Sequence, residues 1–159
     1  MTRWLAGEAP PARIHLLVGL VLPALVAIFN LWRMRHFTID DAYISYRYAQ
    51  NFADGLGLVY NTGEYIEGYT NFSWTVILAA GIKLGLSPDS VAKALGGLFA
   101  IGSLGLCYRL SAIMQPLKLL PCVTTWLLAT SMPFIGYAVF GLETPFFIFL
   151  VLAGTYLFV

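Results

Sequence analysis

Long apolar runs alternate with short polar joints along this chain, and one polar interval is much longer than the others. The first apolar run covers residues 14–32 without a charge; a second follows Tyr69 to about residue 86. A third spans about 91–107, a fourth 119–135, and a fifth begins near Thr144. A helix needs roughly 20 mostly apolar residues to cross about 30 Å of hydrocarbon, so four or five transmembrane helices are predicted. Pro23 is expected to kink the first, a feature that bilayer helices tolerate. That run is longer than a signal-peptide core, and Arg33, Met34, Arg35 and His36 follow it instead of a small-residue cleavage site, so it reads as retained. The fifth run reaches Val159 without a cap or polar flank, which gives the expectation of a front part of a longer product.

The long polar interval, residues 36–68, replaces aliphatic runs with acidic, amide, Gly and Tyr residues. An Asp at the bilayer centre costs roughly 2.5–3.5 kcal/mol, so the adjacent Asp40 and Asp41 place this loop in water or at the interface. Thr38-Ile-Asp-Asp41 reads as an N-cap with acidic residues in the first turn. A helix over about 39–53 then sets Ile44, Tyr48 and Phe52 on one stripe and brings Asp40 and Arg47 close to a second. It ends around Gly55-Leu-Gly57, and Val59 to Gly63 reads as an extended piece and a turn. The expected picture is an amphipathic helix on the membrane surface. Trp32, Tyr69, Phe72 and Trp74 flank the loop as part of one aromatic belt.

Composition agrees with the bilayer reading. Hydrophobic residues make up 59% and charged residues 11% of the chain, with a mean hydropathy of +0.78. A soluble domain carries about 25% charged residues. The net charge of +1 leaves no basic cluster for a nucleic-acid partner. Cys107 and Cys122 lack metal or disulfide spacing and read as small buried hydrophobes. Lys and Arg are nearly balanced between alternate connections, so the positive-inside rule assigns no orientation. Gly81 and Gly85 match a small-xxx-small pattern that reads as chance at a helix end. The sequon Asn71-Phe-Ser73 sits too near the membrane to be a comfortable glycan acceptor.

Candidate chemistry concentrates in the loop: Asp40, Asp41, Arg47, Asp54, Glu64 and Glu67 lie there. A solvated loop collects charges in any case, and Asp residues start helices in any protein. The pair is nonetheless only a few residues from a membrane helix end, and Glu67 brings another carboxylate back to the membrane face just before the second run.

These residues carry a resemblance. Asp40-Asp-Ala-Tyr-Ile-Ser-Tyr-Arg-Tyr-Ala49 with Asn51, Gly55-Leu-Gly-Leu-Val-Tyr-Asn61, Gly63-Glu64 and Glu67-Gly-Tyr-Thr-Asn-Phe-Ser-Trp74 resemble the first extracytoplasmic loop of GT-C-type glycosyltransferases. Within that superfamily the chain is similar to polyprenyl-phosphate-sugar transferases such as the mycobacterial terminal arabinofuranosyltransferases. It resembles protein O-mannosyltransferases and aminoarabinose transferases more distantly. Gly141-Leu-Glu-Thr-Pro145 is a further element of the pattern.

The resemblance implies an all-α polytopic membrane protein: a tail over 1–13, a first transmembrane helix over 14–35, the extracytoplasmic loop over 36–68, and three to four further helices over 69–159. It implies a bacterial inner (plasma) membrane location with the loop periplasmic or extracellular. The partners implied are membrane lipids, a polyprenyl-phosphate sugar donor and a glycan or lipid acceptor. Transfer would invert the anomeric centre in one displacement, with Asp40 or Asp41 as general base. Asp40 is favoured because it matches the first acid of related pairs and shares a stripe with Arg47, which would stabilise the phosphate leaving group. Tyr43, Tyr69, Asn71 and Glu143 complete the implied substrate-binding set. Glu67 matches a position that holds a divalent metal in some relatives, which leaves Mg or Mn open as a cofactor.

Glu143 raises a difficulty. Three full crossings after the loop would put it on the opposite side. Either one segment crosses incompletely, the candidate being 119–135 with Pro121 and Pro133 near its ends, or Glu143 has no such role. Two other readings stand beside the enzyme: a transporter or flippase fragment, and a catalytically inert membrane fragment.

Overall fold

The computed structural model describes residues 12–114 and 119–159. Most of the predicted tail, Arg3 and Lys118 lie outside the described residues. All regular structure among the described residues is helical. Helix α1 covers Ala12–Met34, α2 Asp40–Ala53, α3 Phe72–Lys83, α4 Pro88–Ile113, α5 Leu120–Thr130, α6 Met132–Val139 and α7 Thr144–Phe158. Helices α1 and α4 are long and apolar enough to cross a membrane; the pair α5–α6, bent by 56°, makes a third candidate if it counts as one span.

Proline decides the shape of α1. Pro23 has no N–H to donate to Gly19, so the Gly19 carbonyl loses its helical partner. The turn before Pro23 opens into a π-helical stretch, Leu17–Val21. Helix α5 satisfies the freed groups. Thr125 Oγ1 donates to the Gly19 carbonyl, and Trp126 Nε1 donates to the Val18 carbonyl at 2.9 Å. The relation is reciprocal. Pro133 withholds a donor from the Ala129 carbonyl, and Asn30 Nδ2 of α1 reaches that oxygen at 3.3 Å. Ser131 at the break accepts from Phe134 N, so the bend is capped.

Contacts along the helices fix their directions. His15 meets the Tyr108 hydroxyl at 2.8 Å near one end of α1 and α4, while Leu31 lies beside Gly97 near the other. These two helices are therefore antiparallel. The α5–α6 pair runs back beside α1, and its exit strand returns to the start of α2, where Ile39 N donates to the Phe140 carbonyl at 3.2 Å. Helix α7 then runs alongside α4 in the same direction, with Phe99 5.0 Å from Phe146 and 5.2 Å from Phe149 between ring centroids. Gly96 lets α4 approach α6 closely, since any Cβ there would run into the Ala138 carbonyl.

The run predicted as a second membrane span forms α3, and this is the main correction. At 12 residues it is about 18 Å long, well short of the hydrocarbon thickness. Gly85, at φ +81, turns the chain directly into Ser87, whose hydroxyl caps α4. Gly81 packs against Val91 across this turn, while Gly85 serves the turn itself and meets no neighbour within 4 Å, so the two glycines do not form one helix-contact face. Trp74, Leu78 and Ala79 of α3 pack on Ala42, Tyr46 and Ala49 of α2 and on Ala92 in the first turn of α4. Both ends of α3 thus lie at the end of the bundle that carries α2. With α3 removed from the count of crossings, Glu143 falls at that same end. By length α3 falls short of a crossing, while the bent α5–α6 pair, residues 120–139, is a broken span or a re-entrant loop.

Candidate functional site

Helix α2 begins where the sequence places it, but its cap and its buried face differ. The N-cap is Ile39 in extended conformation, without a side-chain cap bond. Thr38, predicted to cap, donates its hydroxyl to Asp89 Oδ1 at 2.8 Å. The buried residues are Ala42, Ser45, Tyr46, Tyr48, Ala49 and Asn51, so of the predicted stripe Tyr48 is buried while Ile44 is 41% and Phe52 38% exposed. Small residues win that face because α3 lies close against it.

The remainder of the loop is tied to α2 by side chains. Tyr48 donates its hydroxyl to the Ile66 carbonyl at 2.9 Å and accepts from Gly68 N at 3.0 Å. Its ring meets that of Tyr69 edge-on at 4.9 Å. Asn51 Nδ2 donates to the carbonyls of Val59 and Tyr60. Arg47 Nε also donates to the Tyr60 carbonyl, at 3.2 Å. Its predicted companion Asp40 lies exposed in the first turn of the helix, with no ion pair between the two among the described residues.

Three elements meet at Asn71. Its Nδ2 donates to Ser45 Oγ of α2 at 2.8 Å and to Glu143 Oε2 at 2.9 Å, and its Oδ1 accepts from Thr75 of α3 at 3.2 Å. Trp74 Nε1 donates to the Gly141 carbonyl at 3.2 Å. Gly141, at φ +92, seats under the Tyr46 hydroxyl and the Ala42 methyl, where a Cβ would collide with both. This is why the Gly141–Glu143 segment can lie against α2. Asn71 and Glu143, 72 residues apart in sequence, are thereby joined.

Helix phase sorts the acidic pair. Asp41 stands one turn before Ser45 and leaves α2 on the Ser45 side, whereas Asp40, about 100° round the helix, leaves with Ile44 and Arg47. Both carboxylates are exposed. Tyr43 is exposed beside them, its ring 5.5 Å from that of Tyr46.

Asp89 forms a second polar knot at this end. Its carboxylate accepts from Thr38 and, at 3.4 Å, from the Tyr46 hydroxyl, and it pairs with Lys93 at 2.9 Å. Burial, and then the negative charge of Asp89, push the Tyr46 phenol well above its ordinary pKa.

An open cleft of about 460 Å³ lies between α3 and α7. Thr70, Asn71, Ser73, Glu143 and Thr144 form its polar end, and Trp74, Phe146, Phe147 and Leu150 are among its apolar walls. Asn71 and Glu143 of the predicted set line it; Glu67 does not. Glu67 is exposed, and no group of three His, Cys, Asp or Glu side chains able to hold a metal occurs among the described residues. The ligands for a divalent cation are therefore not assembled around Glu67, and no step is derived through one.

Sequence reasoning missed Ser45, Thr75 and Asp89. Ser45 and Thr75 carry no signal beyond ordinary helix composition, and Asp89 follows Ser87-Pro88 like any first-turn acid. Comparison with known proteins adds no identity: no protein-family model matches, and no curated protein or solved structure gives a significant match.

Proposed function

We propose that this chain belongs to a polytopic membrane glycosyltransferase of GT-C type, transferring a sugar from a polyprenyl-phosphate donor to a cell-envelope glycan or lipid. In this reading α2 lies at the outer surface of a bacterial inner membrane as an amphipathic helix, with Ile44 and Phe52 towards the lipid. The observation that carries the reading is the meeting of the acidic loop with Asn71 and Glu143 at the mouth of a cleft that is polar at one end and aromatic at the other. A glycolipid acceptor, with a sugar headgroup and an apolar tail, has that same division.

The chemistry is a single displacement. The acceptor hydroxyl gives its proton to a carboxylate as its oxygen attacks the anomeric carbon. The bond from that carbon to the phosphate oxygen breaks, and polyprenyl phosphate leaves with the electron pair. Asp41 is the base on this geometry, since it shares the Ser45 face of α2, and Asp40 supports the helix start. Glu143, held by Asn71, orients sugar hydroxyls. Arg47, fixed to the Tyr60 carbonyl, is the cation of the loop available to a phosphate.

The test is sugar transfer by the full-length protein in membranes. Replacing Asp41 by Asn is expected to lower transfer at least 100-fold with membrane insertion intact, in the range typical of general-base loss. Unchanged transfer in both Asp41→Asn and Asp40→Asn would sink the reading.

A transporter reading has one feature in its favour, the broken α5–α6 pair. Its break at Ser131 lies beside Asn30, one turn from the end of α1, and not at the middle of the bundle. Uptake of a lipid-linked sugar without transfer would support that alternative.

A further inference from the structure

We propose that the cleft between α3 and α7 holds the uncharged, hydroxyl-rich headgroup of an amphiphile, with its apolar tail along α7, and that it does not hold a phosphate. This deepens the glycosyltransferase reading and rests on it for the identity of the headgroup as a sugar.

The groups at the polar end match hydroxyls. Thr70, Ser73 and Thr144 bring hydroxyls, Asn71 an amide and Glu143 a carboxylate, so donors and acceptors are interleaved as a sugar's own groups require. Asn71 holds Glu143 through Oε2, and the carboxylate keeps further lone pairs for a ligand. Trp74 is buried behind the half-buried Phe146, and the exposed rings of Phe72 and Phe147 line the cleft, so aromatic surface is open there to the C–H face of a sugar.

The charge at the same place opposes a phosphate. No Lys, Arg or His lines the cleft. The first turn of α7 would attract an anion, but its N-cap residue is Glu143, whose carboxylate is held by Asn71 close by without capping the helix. A phosphate would sit beside that charge in a partly dry site, where like charges repel more than in water. Beyond the polar end, Phe147 and Leu150 continue along α7 at helical spacing, 65% and 50% exposed. They offer a path for a tail that stays in lipid.

The experiment uses the protein in phosphatidylcholine nanodiscs with two photoactivatable probes of equal chain length, dodecyl glucoside and dodecyl phosphate. Labelled peptides are located by mass spectrometry. The glucoside is expected to label the segment from Glu143 to Leu150, with the phosphate at background. Glu143→Ala should reduce glucoside labelling about tenfold, as loss of a hydrogen bond to a charged group predicts, and Ser73→Ala about threefold. The second variant leaves the Asn71–Glu143 bond in place, so it reads the site even where Glu143→Ala unfolds it; unchanged labelling in a folded Glu143→Ala and in Ser73→Ala would overturn the inference. Equal or stronger labelling by the phosphate would also overturn it while leaving the transferase reading intact, because the donor carries a phosphate. Labelling by neither probe would overturn both. Displacement by free glucose at the concentration of the glucoside would remove the tail from the recognition and refute the amphiphile.

Discussion

The polar contacts of the α1–α5 seam and those of the α2–α3–α7 junction are used in different ways. In the α1–α5 seam, Thr125, Trp126 and Asn30 all bind backbone carbonyls, two of which were freed by Pro23 and Pro133. Each donor has a fixed backbone target. At the α2–α3–α7 junction, side chains bind one another: Asn71 holds Ser45, Thr75 and Glu143, while Asp89 holds Thr38, Tyr46 and Lys93. Of these groups Asn71 and Glu143 line an open cleft, where the Glu143 carboxylate keeps lone pairs beyond the one that Asn71 fills. Polar groups that complete the backbone hold a fold together; polar groups left with capacity at a cleft can bind a ligand.

Steric breakage gives the largest expected effect. Gly141→Ala puts a Cβ into the Tyr46 hydroxyl and the Ala42 methyl at a positive φ, and we expect a loss of about 3 kcal/mol from strain and overpacking together. Equilibrium unfolding in mixed micelles would read it. The seam should respond next. Thr125→Val leaves the Gly19 carbonyl buried without its side-chain donor, at about 1–2 kcal/mol. Adding Pro23→Ala restores an N–H within α1, so the same Thr125→Val change should then cost less than half as much. Equal costs in the two backgrounds would show that proline is not what created the need for Thr125. Asn30→Leu, tested with and without Pro133→Ala, should repeat the result at about 1 kcal/mol or less, as suits a longer bond.

The smallest effect is one of pH. Because the folded pKa of Tyr46 is raised by burial and by Asp89, the neutral phenol stabilises the docking of α2 fully below about pH 10, its ordinary value. That contribution is lost as pH rises further, since the unfolded chain ionises first. Tyr46→Phe should remove this alkaline loss while changing stability only slightly at neutral pH; an unchanged alkaline limb in the variant would assign the titration to another group.

Much of the frame was legible in the sequence. The uncharged run of α1 and the long apolar α4 follow from hydropathy and length, and the start of α2 at Asp40 follows from its acidic first turn. The role of α3 was not legible, because residues 72–86 are as apolar as a span. What separates them from one is local: the left-handed Gly85 and the Ser87-Pro88 cap cut the helix short, and Gly81 lets it lie against the next helix. The second face of α2, Ala42, Tyr46 and Ala49 against α3, was not legible, because Ala residues carry little hydrophobic signal beside Ile44 and Phe52. At the site, Asn71 and Glu143 were named through resemblance, but their contact depends on where α3 turns. Asp40 and Asp41 could be separated only by knowing which face of α2 meets Asn71.

The turn-back of α3 supports every statement about which residues share the site, and cysteine labelling tests it without any assay of activity. In a background with Cys107 and Cys122 replaced by Ser, single cysteines at Asp54, Leu86, Leu142 and Met114 would be exposed to a membrane-impermeant maleimide from one side of sealed vesicles. Cysteines at positions 54, 86 and 142 are expected to react from the same side and the one at 114 from the other. Reaction of position 86 from the side opposite position 54 would mean that α3 crosses, and would separate Glu143 from the acidic loop.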